Sequence, residues 1–341
     1  MYIGGCLTST LVTNKTMKIV FFGTPEFAAY SLRSLVEHNR EVVAVVTMPD
    51  KPKGRGHKLQ PSDVKRTAQE LLPEIPILQP ERLRDEEFLE RLREINADLF
   101  IVVAFRMLPE EVWDMPPRGT INLHAALLPK YRGAAPIQWA LINGEQETGV
   151  TTFLLDKEID TGRVLLQERV PISVDETGGT LHDKLMVIGA KVIEDTIDLI
   201  GQSEEPKEQL GHPQPEDVSH LPMAPKIFKE EQTIRFTSMT AEEIDRRVRA
   251  MAPYPKAVAL FHDETTDAEV EIKILSVCIC EKPIHRDLAP GEPLETDDKR
   301  LFVGTARGTI EVQELQWPSS KVMPTKAFLL GHSPFPLGTF L

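Results

Sequence analysis

Apolar runs that alternate with helical stretches constrain this chain more than any other feature. Met17–Gly23 (MKIVFFG), Val42–Thr47, Asp98–Ala104 and Thr120–Leu123 each read as a buried strand, and Ser62–Leu71 and Glu86–Glu94 between them read as helices. Strands and helices in that order imply an α/β domain with a mostly parallel sheet. The first strand ends in Gly23, and Thr24-Pro25-Glu26-Phe27 then opens a helix, with Thr24 expected as N-cap and Pro25 at the first helical position. A strand, a glycine turn and a helix N-terminus suggest a nucleotide-type domain, but G-x-G-x-x-G is absent, so dinucleotide binding is not expected.

The run Thr120–Gly133 reads TINLHAALLPKYRG. Asn122 and His124 are two apart on a strand and therefore point to the same side. They sit where the strand gives out, which is where open α/β sheets bind ligands. An Asn that donates and accepts, beside a His that carries a proton near neutral pH, suits the holding of a carbonyl oxygen that becomes tetrahedral. An isolated Asn-x-His is more often two satisfied polar side chains, so the pair needs support from elsewhere. Asp160, in the loop Lys157–Gly162, is the candidate third group: a carboxylate near His124 orients the ring and favours its charged form. Asp-Thr-Gly is also an ordinary turn sequence. Phe105-Arg106-Met107-Leu108-Pro109 forms the preceding strand-end loop, whose backbone suits a flat heterocycle.

Net charge is −13, which argues against broad affinity for nucleic acid. Against that background, Lys51 to Arg66 carries six Lys/Arg and one acid, with Gly54 and Gly56 flanking Arg55. A charge run is usually a solvated loop; here its contrast with the rest of the chain favours a basic finger for phosphates. The three cysteines, Cys6, Cys278 and Cys280, are too few for a disulfide framework, and the scattered histidines give no expectation of a metal. No apolar run approaches the ~20 residues of a membrane span. A cytoplasmic protein is expected.

Further on, Ala135–Asn143 reads as a helix, Gly149–Asp156 and Arg163–Val170 as strands, and Thr180–Asp183 as a capping box opening a helix to about Ile200. Residues 201–222, rich in Pro, Gly, Glu and Gln, read as a linker. Thr240 and Glu243 form a capping box for a helix with Ile244, Val248 and Met251 on one face. Ala257–Phe261, Val270–Ile279, Leu301–Thr305 and Thr309–Trp317 read as strands of a small β-barrel. No internal repeat is visible.

From Met17 onward the chain closely resembles the methionyl-tRNA formyltransferase family. The stretches that carry the resemblance are KIVFFGTPEFA, PDKPKGRGHKLQPSDVK, INLHAALLPKYRGAAPIQWALINGEQETGVTT, EIDTG, APKIFKEEQTIRF and RAMAPYPKA. It implies a Rossmann-like, doubly wound catalytic domain over residues 17–205, a linker over 206–225, and a tRNA-binding, OB-like β-barrel domain over 226–341. Residues 1–16 are then an extension, expected to be disordered. The resemblance assigns the catalytic trio to Asn122, His124 and Asp160. It implies 10-formyltetrahydrofolate as formyl donor and the amino group of initiator methionyl-tRNA as acceptor, with no metal and a monomeric enzyme. The family's tetrahydrofolate-binding run Ser-Leu-Leu-Pro falls on Ala126, Leu127, Leu128 and Pro129, and the Phe105–Leu108 loop (Phe105, Arg106, Met107, Leu108) is assigned to the same ligand. Ala126 departs from the family's serine, and a lost hydroxyl can remove a hydrogen bond worth ~1 kcal/mol. The basic segment implies tRNA contacts from Arg55, Lys51, Lys53 and Lys58. From Lys226 onward the chain has 15 basic and 18 acidic residues, which does not reveal a basic face. Two rivals stand beside this expectation: a sibling acting on a nucleotide sugar or glycinamide ribonucleotide, and a non-catalytic tRNA- or folate-binding protein.

Overall fold

A computed structural model describes residues 16–53, 58–280 and 286–341 of the chain. Of the extension expected over residues 1–16, only Thr16 falls among them.

The chain runs through β1 (Ile19–Gly23), α1 (Glu26–Glu37), β2 (Val42–Val46), a hairpin of β3 (Lys51–Lys53) and β4 (Lys58–Gln60), α2 (Asp63–Leu71) and β5 (Ile77–Leu78). Next come α3 (Glu86–Ile95), β6 (Leu99–Val103), α4 (Glu110–Trp113), β7 (Thr120–His124), α5 (Pro136–Ile142), β8 (Glu147–Leu154), β9 (Val164–Pro171) and α6 (Gly178–Gln202). The main sheet has the order β5-β2-β1-β6-β7-β8-β9. Its first five strands are parallel, and β8 and β9 add on antiparallel.

Successive side chains of β1 go to opposite faces. Ile19 and Phe21 join one core with α1, α2 and α6, while Val20 and Phe22 join another with α3 and α4. Leu99, Ile101 and Val103 of β6 face the first core, and Phe100 and Val102 face the second. A sheet covered on both faces buries every strand position, which explains why these strands read as continuous apolar runs. Strand order reverses at β1, flanked by β2 on one side and β6 on the other, and a crevice opens at such a switch point.

Two helix starts differ from expectation. The first helix begins at Glu26 with Pro25 as N-cap and no side-chain cap bond. Pro25 is extended (φ −81°, ψ 178°), and the buried Thr24 hydroxyl has no hydrogen-bond partner among the described residues. The capping box of α6 is formed by Thr177 and Thr180, three residues before the expected site. Thr180 is its N3 residue, where a hydroxyl can reach back to the N-cap amide.

The segment read as a linker is bonded along the first domain. Arg163 donates to the Leu210 carbonyl (2.7 Å), His212 and Val164 exchange backbone bonds of 2.8 Å, and the Pro222 carbonyl accepts from Tyr131 N–H (2.7 Å). Ala224 pairs with Arg132 and Ala135. Its backbone is satisfied by other segments, which leaves no periodicity in its own sequence.

The second domain begins with α7 (Lys229–Gln232), β10 (Thr233–Ile234), α8 (Ala241–Met251), β11 (Ala257–Asp263) and β12 (Ala268–Ile279). It continues with β13 (Pro293–Glu295), β14 (Leu301–Gly304), β15 (Thr309–Gln316), β16 (Met323–Pro324), α9 (Thr325–Gly331) and β17 (Gly338–Phe340). The order β12-β15-β14-β13 is a Greek key. The sheet curls back on itself: β17 pairs with β11, yet Phe340 N–H donates to the Gly291 carbonyl ahead of β13 (2.9 Å). Helix α8 docks on the first domain, with Arg246 donating to the Ile142 carbonyl (3.1 Å) and Arg249 to that of Glu176 (2.9 Å).

Cap chemistry separates two threonines. Thr240→Ala removes the hydroxyl that accepts from Glu243 N–H at the start of α8 and is expected to lower stability by about 1 kcal/mol in urea unfolding. Thr24→Val removes a hydroxyl with no partner and is expected to leave stability unchanged or raise it.

Candidate active site

Strand β7 delivers Asn122 and His124 to its carboxyl end, facing the same side. His124 is buried, and its Nε2 donates to the Tyr131 carbonyl at 2.8 Å. That bond commits the proton of the neutral ring to Nε2 and leaves Nδ1 facing Asp160. The Asp160 Oδ2 lies 3.8 Å from Nδ1. This is within ion-pair range and too long for a hydrogen bond. The expectation that Asp160 orients the ring therefore needs correcting: the Tyr131 carbonyl orients it, and Asp160 faces the other nitrogen. Asp160 is itself held by Gly133 N–H, which donates to Oδ2 at 2.8 Å.

The backbone here is unusual. Ala104 (φ 46°), Tyr131 (φ 60°) and Asp160 (φ 56°) all adopt left-handed conformations that residues with a Cβ normally avoid. Such strain persists only where the surroundings over-determine it, and it gathers at sites. Gly133 has φ 126° and lies so close to the Ala224 carbonyl that a side chain has no room. Only glycine fits there.

Two cavities meet at these residues. One, of about 520 Å³, is lined by Phe27, Asn122, His124, Ile137 and His182 among others. The second, of about 330 Å³, lies between the Phe105–Leu108 loop and Leu155–Ile159. Phe105, Asn122, Gly133, Ala134 and Asp160 line both. Among the described residues, none hydrogen-bonds the half-buried Asn122 carboxamide, so its N–H groups can serve an oxygen at the boundary. The arrangement offers a neutral donor, a titratable imidazole and a carboxylate around one point shared by two ligand spaces. A further cavity of about 310 Å³ lies behind Trp113, Leu155 and Asp156, and none of the trio lines it.

The other expected site residues distribute unevenly. Phe105, Arg106, Met107 and Leu108 line the smaller cavity. The Arg106 guanidinium is engaged behind the loop, donating to the carbonyls of Pro80 (2.5 Å) and Glu81 (2.7 Å), and burial pushes its pKa down. Ala126, Leu127, Leu128 and Pro129 line neither cavity. Ala126 is buried against Tyr131 and Ala224, and its carbonyl accepts from Thr151 Oγ1 (2.6 Å). The Leu128 amide donates to the same hydroxyl (3.1 Å), and Gln167 Nε2 donates to the Leu128 carbonyl (2.8 Å). The run thus shapes the turn from His124 to Tyr131. Leu127, Leu128 and Pro129 line a separate space of about 250 Å³ with Gln167 and Arg169. The methyl of Ala126 bears on local packing, since it touches neither cavity.

In the basic segment, Lys51 is exposed on β3, and Lys53 stands opposite Lys58 across the hairpin. Arg55 lies outside the described residues. Lys65 pairs with Asp50 (2.8 Å) and Arg66 with Asp63, so neither adds much to a free basic surface.

Tyr131 and Gly133 act here through backbone atoms and had no signal in the sequence as site residues. The Tyr131 phenol is buried, donates to Glu145 (2.8 Å) and accepts from Asn143 (3.1 Å); burial pushes its pKa up, keeping it neutral.

The Formyl transferase family profile matches residues 17–197, and the Formyl transferase, C-terminal domain profile matches residues 226–333. The chain is 47% identical to the methionyl-tRNA formyltransferase of Bacteroides thetaiotaomicron, over 92% of this chain and 95% of that one. It is 48% identical to that of Porphyromonas gingivalis strain W83, over 93% and 96%. Among solved structures, HypX from Aquifex aeolicus in complex with tetrahydrofolic acid aligns with TM-score 0.60 at 19% identity. That alignment covers 92% of this chain and 47% of HypX, so the chain spans about half of HypX. The N-formyltransferase from Helicobacter canadensis, solved with folinic acid and dTDP-3-aminofucose, aligns with TM-score 0.60 at 19% identity, over 87% and 98%. These two likenesses concern the fold alone. With both domains matched and relatives near half identity along almost its whole length, the chain belongs to the formyl transferase family.

Proposed function

We propose that this enzyme transfers the formyl group of 10-formyltetrahydrofolate to the amino group of initiator methionyl-tRNA, working in the cytoplasm as a monomer. The observation that carries the reading is the wall common to the two cavities, where Asn122 and Asp160 face both spaces and His124 faces the larger one. The loop-lined smaller space suits the folate donor, and the larger one suits the aminoacyl end of the tRNA.

In the reaction the neutral amine attacks the formyl carbon, a new C–N bond forms, and the bond from that carbon to the donor nitrogen breaks. One proton passes from the attacking nitrogen to the leaving one. The Asn122 N–H and a protonated His124 Nδ1 donate to the oxygen as it gains charge, and such preplaced donors are a large part of acyl-transfer catalysis. Asp160, beside Nδ1, stabilises the imidazolium and relays the proton between the two nitrogens. The Tyr131 carbonyl keeps Nε2 occupied so that Nδ1 is the nitrogen that reacts. No covalent enzyme intermediate is involved.

Lys51, Lys53, Arg55 and Lys58 supply phosphate contacts to the acceptor stem. The domain over residues 226–341 carries the body of the tRNA.

Formyl transfer from labelled 10-formyltetrahydrofolate to initiator methionyl-tRNA tests the reading, with His124→Ala beside the wild type. The variant is expected to lose roughly 10²–10⁴-fold in kcat while still binding folate and tRNA. A folded wild type that binds both ligands and transfers nothing sinks the proposal. Transfer to a dTDP-amino sugar in place of the tRNA points instead to the sugar-modifying branch. Lys51→Ala is expected to weaken tRNA binding and reduce the slope of log affinity against log salt by about 1, with folate affinity unchanged. An unaltered slope removes Lys51 from the tRNA contact.

A further inference from the structure

Gln214 belongs to the segment that joins the two domains, 54 residues beyond Asp160, yet its carboxamide is seated against the Asp160 loop. Its Nε2 donates to the Asp160 carbonyl at 3.0 Å and to the Gly162 carbonyl at 2.8 Å. Its Oε1 accepts from Arg132 Nη2 at 2.7 Å and from Arg132 Nε at 3.2 Å. A primary carboxamide has two donors and an oxygen with two lone pairs, so all of its capacity is used.

Those contacts fall on both loops that build the trio. Arg132 is buried between Tyr131, whose carbonyl holds His124, and Gly133, whose N–H holds the Asp160 carboxylate. On the other side, Asp160 has a left-handed backbone (φ 56°), which turns its carbonyl toward Gln214. Gln214 bonds the carbonyl of that residue and of Gly162, two positions on. The Gln214 side chain thus spans the 131–133 and 160–162 turns beside the direct Gly133–Asp160 bond, and with it sets the 3.8 Å separation of Asp160 Oδ2 from His124 Nδ1.

We infer that Gln214 is a positioning residue for formyl transfer, holding the Asp160 carboxylate at His124, and that the inter-domain segment is thereby part of the active centre. The inference rests on the reaction proposed above. Gln214 touches no reacting atom; it acts through Asp160, and its removal costs rate only while Asp160 is there to be positioned.

The test measures single-turnover formyl transfer by the full-length enzyme. Gln214→Ala and Gln214→Glu are each made in the wild type and in an Asp160→Asn background. Gln214→Glu keeps the volume and an acceptor for Arg132 but sets a carboxylate oxygen against the two carbonyls and adds a charge beside Arg132, so it removes the donation without leaving a cavity and serves if the alanine variant does not fold. Both variants are expected to lower the rate about tenfold with KM for either substrate within about twofold, and to lower it less than about twofold once Asp160 is Asn. An equal loss in both backgrounds, a loss confined to KM, or an unchanged rate overturns the inference, because a purely structural crosslink behaves in one of those ways. The outcomes are separable from the reaction itself: a wild type without transfer sinks the proposed reaction, whereas an active wild type matched by its Gln214 variants sinks only the role of Gln214.

Discussion

The hydrogen bond from His124 Nε2 to the Tyr131 carbonyl decides which nitrogen of the imidazole meets the ligands. At 2.8 Å in a buried setting it fixes both the tautomer and the plane of the ring. The rest of the centre is arranged to make that carbonyl available. The turn between His124 and Tyr131 is tied to β8 through the Thr151 hydroxyl, which donates to the Ala126 carbonyl and accepts from the Leu128 amide. Tyr131 itself is in a left-handed conformation, anchored at its phenol by Asn143 and Glu145 and at its amide by Pro222. The run from Ala126 to Pro129 therefore has a mechanical duty here.

The sheet supplies the location. Its order reverses beside β1, and the chain leaving β1, β6 and β7 opens around one crevice. Strand β8 runs antiparallel to β7 with Leu154 opposite Ile121, so the loop that follows leaves beside the start of β7; residues 155–160 then line the crevice with Asn122 and bring Asp160 within 3.8 Å of His124.

Much of this was legible in the amino-acid sequence, for identifiable reasons. Strands buried on both faces are apolar throughout, so β1, β2, β6 and β7 stood out, and the Thr240 and Glu243 pair marked the start of α8. Asn122 and His124 were legible because strand geometry puts alternate residues on one side, and the structure does bring them together with Asp160. What escaped had no side-chain signature. The β3–β4 hairpin is masked by its charges, and the pairing direction of β8 and β9 is a tertiary property. The segment around Gln214 satisfies its backbone on distant residues, which looks from its composition like slack chain. The Tyr131 carbonyl and the Gly133 amide are groups that every residue but proline shares, so no motif can announce them.

The last point has a consequence for how this enzyme can vary. Among the described residues, both hydrogen bonds that hold side chains of the trio come from main chain: a carbonyl for His124 and an amide for Asp160. Alanine scanning deletes side chains and leaves the Tyr131 carbonyl in place, so a mutational map of this centre will understate the part of residue 131 while registering Gly133 only through the clash that a methyl makes with the Ala224 carbonyl. Evolution faces the same asymmetry. Position 131 can change its side chain and keep its carbonyl as long as the path of the chain holds, whereas position 133 can accept almost nothing. Drift here is limited by the shape of the backbone, and identity of the residue matters only where it sets that shape.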